Sequence, residues 1–279
     1  MISGNKNLQP KKREWKKILF FTEWPLLCQI LLLVNFLAAT GIFIYQMIVP
    51  DSANTNAIGS LSKTNTEYMI ICLSYGANII NAACLILAAI RKISNYYWGI
   101  IACVLLGTIA YFASNTGSWI TYWAIQVPMQ IIGIVMWRKN SSNKDTVEPA
   151  NLKWYWYIIG SLILLTAIGL FAWLESYHGF SKIWYPPDTW KPNQWSQYIT
   201  DSAVLMLDIA AVILMIRRYK EQWILWALLD ITGIVLWSIT LNPILIVMFT
   251  MALISCVYGI WDWWIKPALK LKKKSVCTG

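Results

Sequence analysis

The feature that most constrains this chain is a series of long apolar runs separated by short polar segments. A helix needs about 20 apolar residues to cross a bilayer, and eight runs approach that length. Only 13% of the 279 residues are charged, about half the share in soluble domains. The predicted fold is therefore an all-α membrane protein with eight transmembrane helices, at residues 25–49, 68–90, 97–114, 117–137, 154–177, 198–216, 222–240 and 243–264.

Lys and Arg fall almost entirely on one side of these spans. If the chain changes sides at each span, 20 of the 23 Lys and Arg residues share one side, and only Lys63, Lys182 and Lys191 lie on the other. Because short basic loops stay in the cytoplasm, the N- and C-termini are both predicted to be cytoplasmic. This orientation explains the net charge of +10, so the lipid bilayer is the expected partner and nucleic acid is not.

The chain resembles itself after a shift of 126 residues, which places Arg91 on Arg217, Tyr97 on Trp223 and Gly107 on Gly233. One span separates the two copies, so equivalent helices point the same way and form a parallel 3+1+3 repeat. Such repeats are typical of small-solute transporters, although a duplicated scaffold without a substrate stays open. The predicted units are a basic leader (1–24), an extra N-terminal helix (25–49), a first repeat (68–137), a connecting helix (154–177), a second repeat (198–264) and a basic tail (265–279).

Several polar and aromatic residues lie in or beside the spans, where ionisable groups usually face a cavity or a partner. Aromatic faces stack on flat rings and attract cations, carboxylates offset positive charge, and amides bond hydroxyl groups. The predicted ligand is a flat, cationic, hydroxylated solute. The candidate substrate-binding residues are Asn78, Asn81, Gln126, Gln194, Trp195, Gln197, Tyr198, Asp201, Asp208, Trp226 and Asp230.

Other residues favour structural roles. Trp223, Trp261, Asp262, Trp263 and Trp264 lie at span ends, where indole rings anchor helices at the membrane interface. The six cysteines include no CxxC spacing. They are interpreted as small buried apolar residues, and neither a metal nor another cofactor is predicted.

A membrane-embedded enzyme is one alternative class, because Asp208 and Asp230 lie on consecutive spans and two carboxylates can share a proton. Neither residue has the glycine-flanked GxGD pattern of such proteases, and His178, the only histidine, lies in a loop. An enzyme is therefore not predicted. A receptor would need a larger soluble segment, whereas coupling of transport to ions or protons stays open because the acids can titrate.

Two stretches, RKISNYYWGI at 91–100 and DSAVLMLDIAAVILMIRRYKEQWILW at 201–226, carry a resemblance to a known family. The chain resembles the PnuC family of bacterial vitamin transporters. The resemblance implies a fold related to the SWEET sugar transporters, a place in the bacterial plasma membrane, and facilitated diffusion followed by phosphorylation that traps the solute. It implies nicotinamide riboside as the substrate, with thiamine or, less well matched, riboflavin or another nucleoside as alternatives, and it implies a homotrimer.

The chain departs from the family pattern at three positions. Members of the family carry Asn where this chain has Ala102 and Asp230, and a small residue near Asp208. A site richer in acid indicates a ligand shifted from that of the family. Nicotinamide riboside and thiamine are both flat and cationic, so charge does not separate them, and the neutral riboflavin fits less well.

Overall fold

The protein is described by a computed structural model covering residues 25–48, 65–112, 116–140, 147–177, 195–239, 241–266 and 269. Eight helices long and apolar enough to cross a membrane occur in this part of the chain. They are α1 (Leu26–Ile48), α2 (Asn65–Ala89), α3 (Asn95–Phe112), α4 (Thr116–Ile120, Thr121–Gln126 and Val127–Lys139), α5 (Tyr155–Ser176), α6 (Trp195–Ile216), α7 (Gln222–Ile239) and α8 (Pro243–Ile260, continued by Trp261–Ile265).

Each of these helices corresponds to one predicted span, so the prediction of an eight-helix, all-α membrane fold is confirmed. Two helices contain a wider, π-helical stretch, at Thr121–Gln126 in α4 and Trp261–Ile265 in α8. Such stretches often occur at functional sites. In α4 the π-helical stretch ends just before Pro128, which lies at the start of the following α-helical segment.

Six of the helices form a closed ring in the order α2, α3, α4, α6, α7, α8, with α8 packing back against α2. The ring therefore joins the helices of the two predicted repeats at two seams, α4 against α6 and α8 against α2. The connecting helix α5 packs on α6, and the extra helix α1 packs against α2 and α8. Both α1 and α5 lie outside the ring, and a binding site between the repeats must form at its seams or in its centre.

Two tight turns at the same end of the ring have the same backbone structure. Arg91 after α2 and Arg218 after α6 each have a φ of 64°. The amide of each bonds the carbonyl three residues back, and the next amide bonds the carbonyl five residues back. This pattern is the Schellman motif, which ends a helix on a left-handed residue. We call this end of the bundle, which carries the 90–94 and 217–221 turns, the basic end.

The two turns correspond at a shift of 127 residues, one more than the sequence comparison requires. Consequently Tyr96, and not Tyr97, matches Trp223 in packing: Tyr96 lies against Gly133, and Trp223 lies against Gly259. Tyr97 is 44% exposed. The prediction that Tyr97 is equivalent to Trp223 was wrong. It assumed a shift of 126 residues, but the left-handed residues that end α2 and α6, Arg91 and Arg218, are 127 positions apart.

A reciprocal pair of hydrogen bonds links the two sets of helices at the basic end. The indole of Trp137 in α4 donates to the carbonyl of Met215 in α6 at 3.0 Å. The indole of Trp263 in α8 donates to the carbonyl of Ala89 in α2 at 3.1 Å. Both donors and both acceptors are separated by 126 residues in the sequence, which is the arrangement that a parallel repeat predicts.

The interfacial prediction was wrong for three residues of this region. Trp223 and Trp263 are each 1% exposed and belong to one apolar cluster with Tyr96 and Trp137. Asp262 is also buried, and Arg91 donates to its carboxylate at 2.6 Å. These rings pack between helices because small residues, such as the glycines at 133 and 259, leave room for them.

The described part of the α4–α5 linker, from residue 147 onward, packs against the same cluster. Val147 is 2% exposed and packs among residues of α2, α4, α6, α7 and α8. Ala150 forms a parallel bridge with Tyr219, in which its amide donates to the Arg218 carbonyl at 2.8 Å. Tyr157 and the Leu152 amide both donate to Oε1 of the buried Glu221. The cluster and the linker together close the basic end of the ring.

The reciprocal bonds make a testable prediction about the repeat. Trp137→Phe and Trp263→Phe are each expected to lower the free energy of unfolding by about 1–3 kcal/mol, because each removes a buried indole hydrogen bond and leaves space in a close-packed cluster. Trp261→Phe is the matched control, since Trp261 is 48% exposed. Thermal unfolding in detergent measures the three variants. A loss confined to one of the two buried residues contradicts the equivalence of the repeats.

Candidate functional site

The α4–α6 seam contains a buried chain of amide and carboxylate groups. Gln126 Nε2 donates to Asp208 Oδ1 at 2.5 Å, and Gln130 Nε2 donates to Gln126 Oε1 at 3.2 Å. All three side chains are at most 5% exposed. Gln126 is the last residue of the π-helical stretch of α4. The predicted residues Gln126 and Asp208 are thus brought together, one from each side of the seam.

A second carboxylate crosses the same seam nearer the opposite end of α6. Asp201 Oδ1 accepts from the hydroxyl of Ser118 at 2.7 Å and from its backbone amide at 3.0 Å. Asp201 is 1% exposed. Both donors lie on α4, so Asp201 is bonded within the bundle and is not solvated at the membrane surface. Its binding role stays a prediction.

The third predicted carboxylate, Asp230 of α7, is 4% exposed. Its Oδ2 accepts from the thiol of Cys256 in α8 at 3.3 Å, and it lies within electrostatic range of Asp208. Tyr122, in the π-helical stretch of α4, is within electrostatic range of Asp201, Asp208 and Asp230 together. We call Tyr122 with these three carboxylates the acidic site.

Among the described residues, no basic side chain forms an ion pair with Asp208 or Asp230. Along the described helices, Lys and Arg occur only as Arg138 and Lys139 at the basic end of α4. In a low-dielectric interior, uncompensated carboxylates attract cations and repel anions strongly. A positive charge placed beside these carboxylates would therefore be attracted to them when they are ionised.

The two candidate residues of α2, Asn78 and Asn81, are not part of the acidic site. Asn78 is fully buried, but its Oδ1 accepts from Asn35 of α1 at 3.0 Å, on the outside of the ring. Asn81 is half-buried. A cavity of about 10 Å³ lies beside the Asn35–Asn78 pair, between α1, α2 and α8. That volume is room for one water molecule, and it lies outside the acidic site.

The remaining predicted residues lie near the two ends of α6 and α7. Tyr198 is buried, Gln197 is half-buried and Trp195 is 47% exposed, with its ring edge against that of Tyr198. Trp226 is half-buried and packs against two apolar clusters of the bundle. Gln194 lies outside the described residues. A binding role for these residues stays a prediction.

Sequence reasoning missed two residues of this region. Tyr122 lies four positions before Gln126, but it was not singled out because an aromatic residue in a span is common. Glu175 of α5 is fully buried, and its Oε2 accepts from the Ser202 hydroxyl of α6 at 3.2 Å. The signal for Glu175 was available, since a carboxylate inside an apolar span is rarely accidental.

Eight apolar helices, six of which form a ring around a buried polar seam, are typical of a multi-pass membrane transporter. Comparison with known proteins supports that class. Residues 71–265 match the family described as "Nicotinamide mononucleotide transporter". The chain belongs to this family. It is accordingly a membrane transporter and not an enzyme.

Individual relatives carry the name that the sequence resemblance suggested. The chain is 30% identical over 186 residues to the protein named "Nicotinamide riboside transporter PnuC" of Haemophilus influenzae, covering 64% of this chain and 74% of the relative. It is 28% identical over 197 residues to the protein of the same name from Neisseria mucosa, covering 67% and 70%. The resemblance to the PnuC family is confirmed.

A solved structure supports the fold. The structure titled "Crystal structure of the Vitamin B3 transporter PnuC" aligns with a TM-score of 0.65, covering 89% of this chain and 94% of that chain, at 22% identity. The similarity extends well beyond the two sequence stretches that first indicated the family. The exact equivalence of the two repeats stays a prediction.

Proposed function

We propose that this protein carries nicotinamide riboside across the bacterial plasma membrane by facilitated diffusion, with phosphorylation inside the cell trapping the solute. The names of the relatives support the substrate. The single observation that carries the proposal is the acidic site, in which three buried carboxylates lie within electrostatic range of Tyr122. Nicotinamide riboside offers a flat cationic ring to the carboxylates and aromatic rings, and ribose hydroxyls to Gln126 and its neighbours.

The acidic site favours the riboside over the mononucleotide named in the family description. Nicotinamide riboside has a net charge of +1, whereas the mononucleotide adds a phosphate of about −1.5 to −2. Asp201, Asp208 and Asp230 would repel that phosphate, and the described helices offer a basic side chain only at residues 138 and 139. The charge of the site therefore supports the nucleoside as the transported species.

Thiamine is the second candidate, because it is also flat and cationic. The acidic site attracts it by the same Coulomb term, so charge does not separate the two vitamins. Riboflavin is uncharged and gains nothing from the carboxylates.

We also propose that the basic end faces the cytoplasm. The distribution of Lys and Arg over the loops supports this orientation and puts both termini inside the cell. The homotrimer and the unit boundaries implied by the sequence stay predictions.

The binding test uses purified protein and four solutes: nicotinamide riboside, nicotinamide mononucleotide, thiamine and riboflavin. We expect the riboside to bind and the mononucleotide to bind at least about 100-fold more weakly, a difference of about 2.7 kcal/mol. Isothermal titration calorimetry measures the affinities. Equal binding of the riboside and mononucleotide contradicts the charge argument, and binding of none of the four removes the proposed function.

Asp208→Asn is expected to weaken binding of nicotinamide riboside by about tenfold or more, because the substitution removes a full charge and keeps the shape of the side chain. Binding of the uncharged dihydronicotinamide riboside should change by less than about threefold. Glu67→Gln at the exposed start of α2 is the control and should bind both solutes normally. Equal losses for the charged and uncharged solutes would mean that Asp208 acts through packing and not through charge.

A further inference from the structure

Asp208 and Asp230 are buried carboxylates without a cation beside them. They are 2% and 4% exposed, and their hydrogen-bond donors are the amide of Gln126 and the thiol of Cys256. Within the part of the chain that the structure describes, no Lys or Arg side chain lies within ion-pair distance of either. An ionised carboxylate in such a setting is unfavourable, so it keeps a proton or acquires a counter-charge.

The surrounding helices add negative or neutral groups only. The titratable side chains that face the pair or its helix are Cys103 of α3, Tyr122 of α4, Glu175 of α5, Asp201 of α6 and Cys256 of α8. A thiol and a phenol carry no positive charge in any protonation state. The two further carboxylates, at 175 and 201, accept hydrogen bonds from Ser202 and Ser118 and supply no positive charge.

The second, independent observation concerns an atom with no partner. Asp208 Oδ2 is buried and makes no hydrogen bond to any described residue. Its other oxygen is bonded to Gln126. Buried polar atoms are almost always paired. An unpaired carboxylate oxygen at the acidic site therefore indicates that a proton or a ligand completes it.

We propose that Asp208 and Asp230 hold a proton when the acidic site is empty and exchange it for the positive charge of the solute when the site is filled. On binding, the O–H bond of one carboxyl group breaks and the proton leaves to bulk water. The carboxylate that remains faces the cationic ring, so the net charge of the site is the same before and after. This inference rests on the proposed function, because it takes a cationic nicotinamide riboside as the solute.

The exchange lets the two carboxyl groups distinguish a cationic solute from a neutral one. A neutral solute of the same shape cannot replace the proton, and it would bind to the protonated site without releasing one. A cation competes with protons, so its affinity must fall as the pH falls. For one proton released, the dissociation constant rises about tenfold for each pH unit over the range in which the empty site is protonated.

The experiment measures proton release on the full-length protein in detergent. Nicotinamide riboside is titrated by calorimetry in two buffers of different ionisation enthalpy at the same pH, and the difference in heat gives the number of protons released. We expect about one proton per solute bound. The uncharged dihydronicotinamide riboside should release none. Glu67→Gln should release the same number as the wild type, and the double variant Asp208→Asn, Asp230→Asn should release none and lose the pH dependence.

The outcomes separate this inference from the proposed function. Binding of nicotinamide riboside with a proton released supports both. Binding with no proton released, and with an affinity constant from pH 6 to pH 8, overturns the exchange and leaves the proposed function standing. Absence of binding at every pH overturns the proposed function, and the exchange with it. Proton release that persists in the double variant assigns the proton to another group and overturns the role of the pair.

Discussion

A disulfide between positions 150 and 219 is expected to stop uptake reversibly. Ala150 and Tyr219 are paired residues of a parallel bridge, so their Cα atoms lie at a separation that a disulfide can span. The bridge holds the α4–α5 linker over the basic end, where Val147 is buried among helices of both predicted repeats. If the basic end faces the cytoplasm, a solute must leave through this closed end. The linker and the cluster must then separate in each transport cycle.

The test joins Ala150→Cys and Tyr219→Cys in a background in which Cys72, which is exposed, and Cys277 are replaced by Ser. Uptake of nicotinamide riboside into vesicles should fall more than about tenfold after oxidation and return after reduction. Each single cysteine variant, treated identically, is the control and should keep its rate. Binding should survive oxidation, since the acidic site lies away from the bridge. Full uptake by the oxidised double variant would show that the linker stays in place during transport.

The spans could be predicted from the sequence because they depend on composition, and about twenty apolar residues are enough to identify a membrane helix. The side that the basic loops face stays a prediction. The three carboxylates were identified for the same reason: Asp201, Asp208 and Asp230 are costly in a membrane whatever they touch. These predictions concern whether a residue lies in the membrane, and they do not require knowing which residue it contacts.

Predictions failed or stayed open where the role of a residue depends on which residue of another helix it packs against. Trp223 and Trp263 lie next to basic turns. The sequence around such a tryptophan is the same whether the ring faces lipid headgroups or a glycine of another helix. Asn78 pairs with Asn35 because α1 lies beside α2, and nothing in the second span alone indicates which face α1 covers. The π-helical stretch of α4 changes the register of Tyr122 and Gln126, so a 3.6-residue periodicity could not place both.

Gly107 and Gly233, which the 126-residue shift aligns, have a similar structural role. A side chain at Gly107 would overlap the ring of Trp123, and one at Gly233 would overlap the ring of Phe249. Trp123 and Phe249 are themselves separated by 126 residues. The sequence comparison found the two glycines, and the structure gives a physical reason for both: each makes room for an aromatic ring of the following helix.

The glycines at the basic end give the second large expected effect, on stability. Gly133→Ala places a methyl group in the ring of Tyr96, and Gly259→Ala places one in the ring of Trp223. Both rings are at most 1% exposed and belong to the cluster that closes the basic end. Neither ring can turn away without disturbing the cluster. Each substitution should therefore lower the free energy of unfolding by about 1–3 kcal/mol, the range for overpacking a close-packed core.

Matched controls come from α5, where Gly160 and Gly169 have open space at the position of a Cβ atom. Gly160→Ala and Gly169→Ala should be neutral or stabilising by up to about 1 kcal/mol, because alanine has the higher helix propensity. Thermal unfolding in detergent, followed by the amount of monodisperse protein, ranks the four variants. The prediction requires both basic-end variants to melt below both α5 variants. If Gly133→Ala and Gly259→Ala melt with the wild type, Tyr96 and Trp223 can move freely, and the basic end is then too loosely packed to require the opening step that the disulfide at 150 and 219 is designed to block.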